Sequence, residues 1–142
     1  MKFTTLLTTL AIFALPTLAG AVEVTYNTIY DNPDTSLGIT ACSNGVNGLQ
    51  EKYPTLGSIS HFPYVGGIPG LTWNSKQCGS CWQLTYTEAS GQKNTINIVA
   101  VDGAFSFNLS LEAMNVLTGG IAVQKGTVSA TAVQVAASVC GM

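Results

Sequence analysis

Four cysteines, Cys42, Cys78, Cys81 and Cys140, follow an N-terminal segment built like an export signal. A chain of this kind folds in an oxidising compartment, where an even set of cysteines pairs and staples loops together. The signal comprises Lys2, an apolar run from Phe3 to Leu18 and the small-residue stretch Ala19-Gly20-Ala21, an A-x-A cleavage pattern. Residues 1–21 are therefore expected to be removed, leaving a secreted chain that begins at Val22. A membrane anchor is the competing reading, but threonines and Pro16 interrupt the run, which falls short of the roughly 20 apolar residues a spanning helix needs. Four cysteines permit three connectivities, and the sequence alone leaves all of them open.

Residues 22–142 suffice for one domain with a modest core that disulfides would supplement. Charge is sparse. Four lysines, Lys52, Lys76, Lys93 and Lys125, face seven carboxylates, and arginine is absent, so these residues carry net −3. Nucleic acid and anionic membrane draw their affinity from phosphate neutralised by Lys and Arg, and this chain offers them little. A neutral polysaccharide, bound by polar side chains and aromatic faces, suits a surface rich in Asn, Ser, Thr and Tyr.

The pattern along the chain is mainly β. Val22 to Tyr30 alternates β-formers with polar residues and ends in the turn-rich Asp31-Asn32-Pro33-Asp34, which predicts a strand and a turn. From Ala41 to Gln77 glycines and prolines break every period, so loop is expected there, with one short helix near Leu49 to Tyr53. Trp82 to Thr87 and Thr95 to Val101, joined by Ser90-Gly91-Gln92, predict a hairpin. Ser110 predicts a helix N-cap, with Leu109, Ala113, Val116 and Leu117 on its apolar face and Gly119-Gly120 as its stop. Thr127 to Val139 predicts one or two closing strands.

Cys78-Gly79-Ser80-Cys81-Trp82 invites two catalytic readings. A papain-like nucleophile needs a general base far downstream, whereas the single histidine, His61, lies upstream. A redox CxxC needs an otherwise unpaired couple in a βαβ context, and here Cys42 and Cys140 need partners. A zinc site is disfavoured because exported thiols oxidise. Structural disulfides remain. Asp102 ends the apolar stretch Val99-Ala100-Val101, which makes it either a site carboxylate or a turn aspartate bonded to backbone N–H groups ahead of Gly103. Glycoside hydrolysis would require a second carboxylate, for which Asp31 and Asp34 are the candidates. Asn108-Leu109-Ser110 is a glycosylation sequon whose asparagine is equally placed to be a buried or ligand-facing amide. The segment His61 to Gly70 reads as a loop, its aromatics either packed on the body of the protein or displayed to a partner.

Taken together, several segments resemble the cerato-platanin family of small secreted fungal proteins. They are Val-x-Val-x-Tyr from Val22 to Tyr26, Cys42-Ser43-Asn44-Gly45, Tyr53-Pro54-Thr55-Leu56-Gly57, Phe62-Pro63 and Gly66-Gly67-Ile68-Pro69. Cys78-Gly79-Ser80-Cys81-Trp82, Val101-Asp102, Phe107-Asn108 and the terminal Cys140 complete the match. Each motif is weak, and their shared order and spacing is specific. The resemblance implies a six-stranded double-psi β-barrel with short helices, related to the first domain of expansins. It also implies disulfides joining Cys42 to Cys78 and Cys81 to Cys140, each closing a loop worth about 4 kcal/mol on the chain-entropy model.

Carried over residue by residue, the family's shallow polar groove falls on Tyr26, Asp34, Ser43, Asn44, Asp102 and Asn108. No cofactor and no metal are expected. The resemblance implies binding of chitin or other wall oligosaccharides built on N-acetylglucosamine, wall loosening without hydrolysis, self-assembly at interfaces and recognition by a plant receptor. Two departures from the commoner pattern are Asn27, where many members carry an acidic residue, and the segment Val101 to Phe107. The expectation is a secreted, non-catalytic carbohydrate-binding protein. Its rivals are a weak hydrolase using Asp102 and a surface-active coat protein displaying the apolar stretch from Phe62 to Leu71.

Overall fold

A computed structural model describes residues 19–142. The expected export signal lies outside them apart from Ala19 to Ala21. Six strands, β1 (Ala21–Tyr26), β2 (Val65–Pro69), β3 (Cys81–Thr87), β4 (Lys93–Ala104), β5 (Phe107–Leu109) and β6 (Thr127–Val135), close a barrel in the order β1-β5-β2-β4-β3-β6. β1 runs parallel to β5 and β2 parallel to β4, while the remaining neighbours are antiparallel. Closure pairs every strand on both sides, so the barrel leaves no free edge. Helices α1 (Leu111–Thr118) and α2 (Ala122–Lys125) lie between β5 and β6.

Side chains from alternate strand positions fill the barrel, among them Val24, Ile68, Leu84, Ile98, Phe107 and Leu109, together with Met114 and Leu117 of α1. A second core lies between the outer face of β2 and β4 and the loops, built on Tyr30, Leu37, Leu56, Ile59, Val65, Val99 and Val101. Two cores explain the apolar run of β4: Ile98, Val99, Ala100 and Val101 are all buried, one face in each core. Cys42–Cys78 and Cys81–Cys140 are the disulfides, spanning 36 and 59 residues of sequence, and no free cysteine remains among the described residues. They tie the long connection before β3 and the chain's end to the barrel.

The hairpin, the helix and the closing strand stand where the pattern placed them, with differences of physical origin. The first strand stops at Tyr26 because the Asn27 side chain accepts from the Ile29 N–H (3.0 Å) and starts a 3-10 turn over Thr28–Asp31. The stretch expected as loop contains β2, and residues 137–140 form a 3-10 turn rather than strand. The short helix expected at Leu49 to Tyr53 is a single turn, closed by the Tyr53 N–H on the Leu49 carbonyl (2.8 Å). On α1, Val116 is exposed and Met114 takes the core position. Val65, Ile68 and Leu71 are buried and Phe62 and Tyr64 pack on the cores, so the aromatics of this segment pack rather than project.

The N-terminus of α1 is closed by two side chains. Ser110 Oγ accepts from the Ala113 N–H (3.0 Å) and donates to the Pro63 carbonyl (2.6 Å). Asp31 receives the Leu111 and Glu112 N–H groups on separate carboxylate oxygens, at 2.8 and 2.9 Å. With the Ser110 N–H on the Val65 carbonyl (3.2 Å), all four free helical N–H groups have partners, and a carboxylate faces the positive end of the helix. Asp31→Ala is expected to lower the unfolding free energy by about 1–2 kcal/mol, measured by urea denaturation. An unchanged midpoint would contradict this assignment.

Candidate functional site

Strand register brings a polar row onto the outer face of the barrel. Thr127 on β6 pairs with Thr25 on β1, Thr25 with Asn108 on β5, Asn108 with Gly67 on β2, and Gly67 with Asp102 on β4. Paired residues share a face, and the flanking Val24, Phe107, Leu109 and Ile68 point the other way, into the core. The row begins in solvent at Thr127 and ends at the edge of the second core, where Tyr30 Oη stands 3.3 Å from the place a Cβ on Gly67 would take. Ser106, in the turn between β4 and β5, shares a hydrogen bond with Thr25 (2.7 Å) and fixes that turn beside the row.

Asp102 is the fastening point of this surface. Its Oδ1 accepts from the Ala41 N–H (2.8 Å) and the Gly103 N–H (2.9 Å), and its Oδ2 accepts from the Tyr30 hydroxyl (3.1 Å). Side chain and strand cooperate here. The β2–β4 register slips by one residue between Gly66 and Gly67, so Val101 is the extra residue of a bulge, and Asp102 is re-aimed onto the outer face opposite Gly67. Gly103 must lack a side chain because a Cβ there would run into the Leu71 carbonyl. Burial pushes the Tyr30 phenol well above the ordinary tyrosine range, and the charge of Asp102 and its hydrogen bond push it further.

The Asn108 carboxamide contrasts with Asp102. Its Oδ1 is shut from solvent and receives no hydrogen bond among the described residues. The side chain as a whole is half-buried, and rotation about χ2 exchanges its oxygen and nitrogen ends. The amide has unused hydrogen-bonding capacity at the polar row, and leaving the buried oxygen unmatched costs about 1–3 kcal/mol.

Ser43 and Asn44 lie on a neighbouring feature. With Gly45, Gly48, Gln50 and Glu51 they line an open cleft of about 450 Å3. The Ala41 N–H on Asp102 and the Cys42 N–H on the Val101 carbonyl (3.3 Å) tie the start of this loop to the Asp102 end of the row. Of the six groove positions expected from sequence, Asp102 and Asn108 therefore share the row and Ser43 and Asn44 share the adjoining cleft. Tyr26, one residue past Thr25, packs against the barrel interior, and Asp34 stands exposed in the turn after the 3-10 turn. Thr25, Tyr30 and Gly67 join this surface in the structure and are not among those six positions. The alternation of Val22, Val24 and Tyr26 could have assigned Thr25 to the outer face, whereas Tyr30 and Gly67 have only long-range signals.

Among the described residues no three His, Cys, Asp or Glu side chains cluster as a metal site requires. No described helix is long and apolar enough to cross a membrane. The fold and site define a small barrel protein, stapled by two disulfides and carrying a shallow polar surface. A family model, Cerato-platanin, matches residues 22–142, and the chain belongs to that family. It is 42% identical over 144 residues to Allergen Asp f 15 of Aspergillus fumigatus, covering 92% of this chain and 91% of the relative. It is 44% identical over 109 residues to cerato-platanin of Ceratocystis fimbriata f. sp. platani, covering 74% and 78%. The crystal structure of cerato-platanin 2 from M. perniciosa superposes with a TM-score of 0.82 at 42% identity, covering 87% of this chain and all of that one. The solution structure of the fungal elicitor Cerato-Platanin gives 0.72 at 42% identity, covering 84% and 96%.

Tyr30→Phe strips Asp102 Oδ2 of its donor and is expected to cost about 1–2 kcal/mol at neutral pH. The alkaline limb supplies an independent readout. A phenol raised in the folded state contributes its full share below the unfolded value of about 10 and loses it as pH climbs toward the folded value, so stability should decline above about pH 10. Urea unfolding against pH should show a shallower alkaline decline in Tyr30→Phe than in the parent. Identical slopes would place Tyr30 outside this linkage.

Proposed function

We propose that this protein is secreted and binds neutral wall polysaccharide, with oligomers of N-acetylglucosamine as the principal ligand, along the row of Thr25, Asn108 and Thr127. The observation that carries the reading is the half-buried Asn108 carboxamide on the polar row, whose Oδ1 receives no hydrogen bond among the described residues. Hydroxyl and acetamido groups supply the neutral donors and acceptors such a surface takes. Two disulfides fit an extracellular setting.

Binding here proceeds without bond cleavage. Hydrolysis needs an acid and a base about 5 to 10 Å apart across one sugar. Both oxygens of Asp31 are committed to the N-terminus of α1, and Asp102 is held by three donors, which favours positioning over proton transfer. Loosening follows from competition. Where groove side chains replace hydrogen bonds that glycan chains make with one another, the population moves toward separated chains, limited by the difference in affinity for loose and packed glycan. Likeness to a protein described as a fungal elicitor supports recognition of this chain by a plant host.

Calorimetric titration with chito-oligosaccharides tests the reading. Asn108→Ala is expected to weaken binding about tenfold without lowering the unfolding free energy, because Asn108 Oδ1 has no hydrogen-bond partner among the described residues. Oligomer length should stay constant through prolonged incubation. Affinity unaffected by the substitution, or steady shortening of the oligomers, would overturn the reading.

A further inference from the structure

Trp73 is the unexplained residue beside the cleft. Three-fifths of it is open to solvent, although exposing so large an apolar surface forgoes the stabilisation its burial would give. Its position is nevertheless fixed. The indole Nε1–H donates to Asn44 Oδ1 (2.7 Å), on the lining of the cleft that Ser43, Gln50 and Glu51 share. The segment that carries Trp73 is laced to the cleft loop: the Asn47 N–H donates to Asn74 Oδ1 and Asn47 Nδ2 donates to the Asn74 carbonyl, both at 2.9 Å. Asn74 itself adopts a left-handed φ of 58°, and the Cys42–Cys78 disulfide brackets both segments.

An exposed aromatic held by a side-chain bond, a two-point amide clamp and a disulfide is preorganised, and a preorganised group loses little entropy on binding. Its neighbours select the ligand. Ser43, Gln50 and a lone carboxylate, Glu51, offer donors and acceptors in a shallow polar cleft, and no cation is present among the lining residues to attract an anion. A flat ring with an apolar face and an equatorial rim of hydroxyls meets both surfaces at once.

We propose that Trp73 is a stacking platform for one pyranose ring of a neutral glycan, whose hydroxyls are received by Ser43, Gln50 and Glu51. The inference rests on the proposed glycan-binding function and adds a subsite to it. The bonds between Ala41 and Asp102 and between Cys42 and Val101 tie the loop that carries this subsite to the Asp102 end of the polar row.

Titration of parent, Trp73→Ala, Trp73→Phe and Asn108→Ala proteins with the N-acetylglucosamine hexamer tests it. Trp73→Ala is expected to weaken binding about tenfold and Trp73→Phe, which keeps a ring, by no more than about threefold. In a Trp82→Phe protein, where Trp73 is the remaining tryptophan, the hexamer should shield its fluorescence from acrylamide quenching. Binding that is weakened by Asn108→Ala but stays within about twofold of the parent in Trp73→Ala, with quenching unchanged, overturns the platform and leaves the row as the site. A parent protein that binds no hexamer overturns both.

Discussion

The Asp102 carboxylate holds three otherwise separate pieces of chain at one point. It takes the N–H of Ala41, at the head of the cleft loop, the N–H of Gly103, on its own strand, and the hydroxyl of Tyr30, which belongs to the second core. Charge-assisted hydrogen bonds of this kind are about twice as strong as neutral ones, and removing the acceptor would strand several donors together. The polar row, the cleft and the covering loops depend on that fastening. A bulge at Val101 aims the carboxylate, and a glycine at 103 admits the Leu71 carbonyl alongside.

That architecture separates support from recognition. Asp102 and Asp31 are carboxylates that a catalytic reading would recruit, yet each is occupied by backbone N–H groups, one behind the row and one at the start of α1. The groups left along the row are neutral, the Thr25 and Thr127 hydroxyls and the Asn108 carboxamide, and in the cleft Ser43 and Gln50 stand with the single carboxylate of Glu51. On the proposed reading such a surface on a rigid barrel would match glycan hydroxyls and act by affinity difference rather than by lowering a chemical barrier.

Elements whose signals are local could be read from sequence. The β3–β4 hairpin declared itself by alternation around Ser90-Gly91-Gln92, and α1 by Ser110 at one end and Gly119 at the other. β2 and β5 could not be read this way. Val65–Pro69 carries two glycines and a proline, the composition of loop, because a side chain at Gly66 would collide with the Asn108 carbonyl where β5 passes. β5 has three residues, and its partners lie far away in sequence. The site was legible only in part for the same reason. Asp102 is marked in the sequence by ending the apolar stretch Val99-Ala100-Val101 and Asn108 by its sequon, and the family resemblance adds both to a groove, while the row that includes Thr25 and Gly67 exists only once register across four strands is fixed.

Backbone amide shifts followed during titration of the protein with an N-acetylglucosamine oligomer test the central claim most directly, because they locate the ligand without altering the protein. The account predicts the largest shifts at Thr25, Gly67, Asn108 and Thr127, continuing into residues 43–51 and Trp73. Shifts concentrated instead at the apolar mouth lined by Val22, Ile68, Trp82, Phe107 and Ala132, or no saturable shifts at all, would contradict it.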